Sequence, residues 1–214
     1  MPNAAVYIVD DDADVRDSLC ALLDSAGFVV TQFDSADAFL AAYDEQPVCC
    51  LVTDIRMPGM DGLALQEKLI ERGARIPIII MTGHADVPLA VRAMKAGAVD
   101  FLEKPFNDDR LVACVKKALE ISEKERADES KATAAAESLA LLTERERDVL
   151  LLLVAGHPNK VVAHKLDISP RTVEVHRGRL MEKTKARNLA DLVRLALAAG
   201  LNPDAFDAPA SEEA

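Results

Sequence analysis

The sequence predicts an α/β doubly wound unit over residues 1–121, followed by an all-α four-helix unit over residues 139–200. Three observations predict it. In the first segment five short apolar runs alternate with amphipathic stretches, the pattern of a parallel sheet covered by helices on both faces. Residues 122–138, SEKERADESKATAAAES, contain no large apolar side chain, so the packed pattern stops there. Beyond residue 139 the apolar spacing is helical throughout, and the charge changes sign.

The strand-like runs are residues 5–9, 29–33, 48–53, 76–81 and 99–102, with helical patterns at 13–26, 36–43, 63–72, 87–96 and 108–121. In the first helix Val15, Leu19, Leu22 and Leu23 recur at three- and four-residue spacing, and Gly27 supplies a C-terminal stop. The flavodoxin-like order 2-1-3-4-5 is the doubly wound arrangement expected for five such strands. Residues 122–138 read as a polar linker, partly helical from its Ala, Glu and Lys content. In the second unit Thr143-Glu144-Arg145-Glu146 fits a capping box, and that helix runs to Gly156. A short helix over 159–166 is followed by Ser169-Pro170, an N-cap with proline at the first helical position, which opens a helix through about residue 185. A last helix spans 189–199, and the acidic stretch 201–214 reads as a disordered tail.

Half of the 214 residues are hydrophobic and 29% are charged, which excludes a wholly disordered chain. No apolar run approaches the roughly 20 residues of a membrane-spanning helix. Met1-Pro2-Asn3-Ala4 does not open a signal peptide, so no membrane association and a cytoplasmic location are expected. Cys20, Cys49, Cys50 and Cys114 lack ligand spacing and read as buried reduced thiols. The net charge of −11 is unevenly distributed: −9 over 1–121 (eleven basic against twenty acidic residues), −2 over the linker, +4 over 139–200 and −4 in the tail. The whole-chain charge argues against a nucleic-acid partner; the charge of the second unit does not.

Asp10-Asp11-Asp12 follows the first strand and Asp54 the third. In an open parallel sheet the functional crevice lies at the carboxyl ends of the strands, where these two ends become neighbours. Close carboxylates repel unless a cation joins them, and a hard divalent ion such as Mg²⁺ suits oxygen donors. The fourth strand ends at Met81-Thr82-Gly83 and the fifth runs into Glu103-Lys104-Pro105, bringing a hydroxyl and an ammonium to the same rim. Together these groups describe a site for forming an aspartyl phosphate. Singly, each has a plainer role: Asp12 as a helix cap, Thr82 as a turn residue, Lys104 as a surface charge. Phe101 is either core or a functional aromatic. Its alternation with Val99 places both on one face, and spacing does not decide between the two roles.

Tyr7-Ile8-Val9-Asp10-Asp11-Asp12, Val52-Thr53-Asp54-Ile55-Arg56-Met57-Pro58-Gly59, Met81-Thr82-Gly83-His84 and Asp100-Phe101-Leu102-Glu103-Lys104-Pro105-Phe106 resemble the receiver domain of two-component response regulators. The resemblance implies that Asp54 is the phosphoacceptor. It implies Mg²⁺ held by Asp11, Asp54 and the backbone carbonyl of Arg56, with Asp10 acting through water. Thr82 and Lys104 would bind phosphoryl oxygens, Phe101 would be a rotamer switch, and Lys104-Pro105 a cis peptide.

In the second unit, two short helices joined by a tight turn match helix-turn-helix spacing. Val173, His176, Leu180 and Thr184 fall on an inward face of the second helix; Arg171, Glu174, Val175, Gly178, Arg179 and Glu182 point away. Such a face suits the DNA major groove, with Arg177, Lys183, Lys185 and Lys160 placed for phosphates. The plainer outcome is a helical bundle with a solvated basic face. Leu142-Thr143-Glu144-Arg145-Glu146, Gly156, Asn159-Lys160, Val162-Ala163, Ile168-Ser169 and Thr172-Val173-Glu174-Val175-His176 resemble the LuxR-type helix-turn-helix. That resemblance places Glu174, Val175 and Gly178 at base edges and Lys160, Thr172 and the arginines on the backbone. Pro158, Glu174 and Gly178 depart from residues common there. His176 reads as inward or phosphate-bridging, since no ligand-spaced partner accompanies it.

The two modules together resemble the NarL/FixJ class of response regulators, with stretches such as 82–88 and 169–177 similar to its FixJ branch. The class implies a sensor histidine kinase as phosphodonor, operator DNA and RNA polymerase as partners, and a homodimer when phosphorylated. The FixJ branch implies a FixL-like, oxygen-responsive kinase. Two rival readings are an enzyme with an aspartate nucleophile and a phosphoryl relay whose helical unit binds protein. The first usually has a second acid two residues after the nucleophile, where this chain has Arg56. A polar linker offers no rigid path for strain, so the expected coupling is masking of the +4 unit by the acidic receiver, relieved on phosphorylation.

Overall fold

The computed structural model describes residues 4–44, 48–83 and 87–201. The first unit is a parallel sheet of β1 (Ala5–Val9), β2 (Val29–Phe33), β3 (Cys49–Asp54), β4 (Ile78–Thr82) and β5 (Asp100–Glu103). Its order is β2-β1-β3-β4-β5, as the doubly wound reading requires. The helices that cover it are α1 (Ala13–Ser25), α2 (Ala36–Ala42), α3 (Gly62–Glu71), α4 (Val87–Lys95) and the first part of α5 (Asp108–Ala140). Successive strand residues point to opposite faces, and this alternation builds two cores. Val6, Ile8, Cys50, Val52, Ile79, Met81 and Leu102 pack with Leu19 and Leu23 of α1 and Leu111, Val115 and Leu119 of α5. Tyr7, Val9, Cys49, Leu51, Ile78 and Ile80 pack with Phe39 of α2, Leu65 and Leu69 of α3 and Ala93 of α4. Cys49 and Cys50 therefore enter different cores, and all four cysteines are free thiols, Cys20 only half-buried.

Val99 and Phe101 do not share a face. Phe101 packs against the α2–α4 core and Val99 against the α1–α5 core. Strand alternation holds only inside a strand, and β5 begins at Asp100; Val99 precedes it, with its N–H donated to the Ile78 carbonyl at 2.8 Å.

Residues 122–138 are helical along their whole length, as part of a 33-residue α5, where the sequence reading has a polar linker with partial helix. No Gly or Pro occurs from residue 108 to 155, and Ala, Glu, Lys and Arg are good helix formers. Nothing local therefore interrupts the hydrogen-bond ladder, although residues 123–131 are exposed all round. The premise that this segment offers no stiff path is not supported.

The chain divides into compact units between Arg126 and Ala127. In the second unit α6 (Glu144–Val154), α7 (Asn159–Lys165), α8 (Pro170–Thr184) and α9 (Leu189–Ala198) follow the end of α5. They close on a core of Leu139, Val149, Leu150, Leu153, Val162, Val173, Leu180 and Leu192. Both halves of the capping box are present: the Thr143 hydroxyl accepts from the Glu146 amide at 3.3 Å, and the Glu146 carboxylate accepts from the Thr143 amide at 2.9 Å. Among the described residues no helix is long and apolar enough to cross a membrane. The expectations for the N-terminal residues 1–3, for His84 and for the tail beyond residue 201 lie outside the described residues.

Gly62 opens α3 directly against the end of β3. Its N–H donates to the Ile55 carbonyl at 3.0 Å, and a Cβ there would lie 2.2 Å from the backbone oxygen of Asp54. That neighbour is backbone, so it cannot turn aside. Gly62→Ala is expected to destabilise the first unit by about 1–3 kcal/mol, measured as a lowered urea midpoint at unchanged m-value. A midpoint equal to wild type would contradict the close approach.

Candidate functional site

Four strand ends converge at the carboxyl edge of the sheet. Asp10, just past β1, is 1% exposed, and Asp54, the last residue of β3, is 6% exposed. The Lys104 ammonium, reaching in from beyond β5, lies 2.6 Å from Asp10 Oδ2 and 2.7 Å from Asp54 Oδ1. Asp10 Oδ1 accepts from the Asp12 amide at 3.0 Å, and its carbonyl accepts from Arg16 Nη1 at 2.7 Å. Asp54 Oδ2 accepts from the Arg56 amide at 2.6 Å. Asp12 also caps α1 through the Asp14 and Val15 amides. Thr82, the last residue of β4, is fully buried, and its carbonyl accepts from the Lys104 amide at 2.7 Å. The Lys104–Pro105 peptide is cis. Asp11 is exposed beside this cluster and Phe101 is half-buried.

Burial pushes the Asp54 carboxyl above the ordinary carboxylate range; the Lys104 ammonium pulls it back, and the Asp10 charge adds to the push. Burial opposes the charge on Lys104, but the Asp10 and Asp54 carboxylates outweigh it and hold the ammonium above the usual lysine range. Among the described residues no three His, Cys, Asp or Glu side chains are grouped as a metal site. Arg16, which orients the Asp10 backbone, is absent from the sequence reading; its only signal is a basic residue one turn into the helix after the acidic triplet. Beside the cluster, Asp14, Val15, Ser18, Lys104, Pro105 and Phe106 line an open groove of about 450 Å³.

The helix-turn-helix is formed by α7 and α8. Pro158 at the α7 N-cap makes no side-chain capping bond, because proline has no acceptor to offer. The chain turns through Asp167 at a φ of 53°, and Ser169 Oγ accepts from the Thr172 amide at 3.0 Å to start α8. Val173, Leu180 and Thr184 are buried, while His176 is half-buried with an Nδ1 that finds no partner among the described residues. Arg171, Glu174, Val175, Gly178 and Arg179 are exposed along α8, Thr172 and Arg177 half-buried, and Lys160 exposed on α7. A Cβ at Gly178 would meet nothing within 4 Å, so the gap on this face is open. Glu174, Arg177 and Gly178 border a groove of about 610 Å³ with Asn159, Arg187 and Asn188, the last two unanticipated from the sequence.

Lys183, expected on a phosphate-facing flank, is half-buried and engaged within the unit. Its ammonium lies 2.6 Å from the buried Glu146 Oε2 and 3.1 Å from the Leu141 carbonyl. The cause is the capping box, which buries the Glu146 carboxylate and so calls for an internal cation. The Lys183 contact and the Thr143 amide hold the Glu146 carboxyl down at about 2, below its ordinary 4.5.

Residues 6–116 match the family described as response regulator receiver domain, and residues 140–196 the family of bacterial regulatory proteins, luxR family. The transcriptional regulatory protein FixJ of Bradyrhizobium diazoefficiens is 52% identical over 93% of this chain and 97% of its own. FixJ of Rhizobium meliloti is 50% identical over 95% and 100% respectively. The response regulator protein TodT of Pseudomonas putida is 42% identical over 90% and 85%. Among solved structures, the response regulator StyR superposes with a TM-score of 0.79 at 43% identity, covering 91% of this chain and 98% of its own. Full-length FixJ from B. japonicum gives 0.58 at 51% identity, covering 94% and 100%.

Because its folded-state pKa is depressed, Glu146 contributes stability that is complete above about 4.5 and lost as the pH falls toward about 2. The difference in urea midpoint between wild type and Glu146→Gln is therefore expected to shrink steadily across that window. A difference that stays constant from pH 6 downward, as on a scale of about 1–3 kcal/mol for a charged hydrogen bond, would contradict the assignment.

Proposed function

The chain belongs to the response regulators that join a receiver domain to a LuxR-type DNA-binding domain, and it is FixJ-like; from that premise we propose that it is a transcription regulator switched by phosphorylation of Asp54. The observation that carries the reading is the Lys104 ammonium set between the buried carboxylates of Asp10 and Asp54. In the transfer, a carboxylate oxygen of Asp54 forms the new O–P bond as the N–P bond of a kinase phosphohistidine breaks. The electron pair leaves with the imidazole, which takes up a proton. Lys104, already at Asp54, meets the added phosphoryl charge, and the buried Thr82 hydroxyl lies at the neighbouring strand end. Burial of Asp54 excludes water from the acyl phosphate. The groove beside Lys104 gives the phosphodonor protein room to approach.

The donor set fits a hard divalent cation, since it is all oxygen and two carboxylates already share a cation. Asp54, Asp11 and the Arg56 carbonyl would hold Mg²⁺, with Asp10 acting through water; few carboxylates are needed, because Mg²⁺ keeps several waters. When bound, the ion neutralises phosphoryl oxygens. Beyond metal and phosphate, Phe101 acts as the rotamer switch.

Phosphorylation relieves masking of the +4 helix-turn-helix unit by the −9 receiver and promotes a homodimer. Val87, Val91 and Met94 leave an exposed apolar stripe on α4 that supports such pairing. Pairing brings two α8 helices to a two-fold-related operator at high effective concentration. Arg171, Thr172, Arg177, Arg179 and Lys160 meet the backbone, and Glu174 and Val175 meet base edges, with Gly178 leaving space. RNA polymerase is the onward partner. Similarity to FixJ points to a FixL-like kinase and an oxygen-responsive pathway in the cytoplasm.

Acetyl phosphate with Mg²⁺ is expected to label the wild-type chain stoichiometrically and Asp54→Asn not at all; labelled Asp54→Asn would overturn the phosphoacceptor assignment. In gel shifts paired with sedimentation, the full chain is expected to bind operator tightly only when phosphorylated and dimeric, whereas residues 139–214 bind without phosphate. An unphosphorylated full-length monomer that binds as well as that fragment ends the masking proposal.

A further inference from the structure

We infer that Lys183 is a positioning residue that locks the rotation of the reading helix α8 and does not itself touch DNA, an inference that rests on the DNA-binding reading above. Glu146 is 2% exposed and Lys183 only 34% exposed at its side chain. The ammonium lies within hydrogen-bond distance of the buried Glu146 Oε2, at 2.6 Å, and of the Leu141 carbonyl, at 3.1 Å. The pair joins the last turn of α8 to the first turn of α6, at the opposite end of α8 from Arg171, Glu174 and Val175.

The apolar contacts of α8, through Val173 and Leu180, set which face of the helix is inward, but each such contact is non-directional and holds small rotations only loosely. A buried ion pair is directional: turning α8 about its axis would strip Glu146 of its cation inside the protein, which the interior penalises strongly. Glu146 is in turn held by the Thr143 amide, so the reference point is a capped helix end and not a mobile side chain. The face that α8 presents is thus set by a contact that faces away from it. A phosphate contact and a positioning contact differ in what their loss changes. Losing the first weakens binding to every sequence and lowers the salt slope by about 0.9 per contact. Losing the second erodes preference for one sequence and leaves the slope alone.

The test uses the full chain treated with acetyl phosphate and Mg²⁺, an operator duplex enriched from a random pool with the wild type, and a random duplex. Lys183→Met is expected to reduce the preference for operator over random duplex by about tenfold, with the salt slope on random duplex unchanged. Arg171→Ala, by contrast, is expected to lower that slope by about 0.9. The double variant Glu146→Gln/Lys183→Met has no unpaired buried charge but lacks the same directional contact, and is expected to show the same loss of operator preference at wild-type slope. If Lys183→Met does not fold, the double variant decides alone. A slope lowered by about 0.9 in either variant, with operator preference intact, overturns the inference. A wild-type chain with no salt-dependent affinity for either duplex removes the DNA-binding reading instead, and this inference with it.

Discussion

One ammonium between two buried carboxylates holds the receiver site together. Asp10 and Asp54 sit on adjacent strand ends because β1 and β3 are neighbours in the sheet, and the Lys104 ammonium lies within hydrogen-bond distance of both carboxylates. Lys104 reaches them from beyond β5, across the width of β4, so the bridge also fixes the last loop of the domain against the strand ends. The surrounding contacts serve it. The Arg56 and Asp12 amides occupy the remaining carboxylate oxygens, Arg16 holds the Asp10 backbone, and Gly62 lets α3 begin against the carbonyl of Asp54. The Asp54 carboxylate is thus held at the sheet edge by a cation and an amide together.

The helical unit uses the same device for a different purpose. Its buried carboxylate, Glu146, belongs to a helix cap, and its cation, Lys183, to the helix that presents the reading face. In the receiver the shared cation, Lys104, lies at the carboxyl ends of the strands and borders a groove. In the helical unit the pair lies at the end of α8 distant from Arg171 and Val175, so it governs orientation. Each unit therefore contains a buried ion-paired carboxylate that carries directional information beside its apolar contacts.

Much of this was legible in the residues. The five strand runs, the doubly wound order, the carboxylates after β1 and β3, Thr82 and Lys104 at their strand ends and the capping box all follow from local pattern and from the rule that crevices form at carboxyl edges. Two readings did not hold, and one residue makes a pairing that no local pattern announces, each for a tertiary reason. Val99 falls outside β5, so strand alternation does not relate it to Phe101. Residues 122–138 look like a tether because they lack large apolar groups, yet a stretch without Gly or Pro continues the helix that α5 has already nucleated. Lys183 sits on a basic helix and looks like its neighbours, but its stem reaches a carboxylate thirty-seven positions away in sequence.

The sequence by itself determined the strands and, outside residues 122–138, the helices, where the charge divides, and which side chains could carry phosphoryl and DNA chemistry, because these depend on periodicity and residue type within a few positions. Tertiary structure alone decided which charges pair. Lys104 joins Asp10 and Asp54 across separations of 94 and 50 residues, and of the basic residues on α8 Lys183 is drawn inward while Arg171 and Arg179 remain exposed. The reason is physical: an ion pair forms where the fold brings opposite charges within about 4 Å and takes them out of water, and no local pattern encodes that distance.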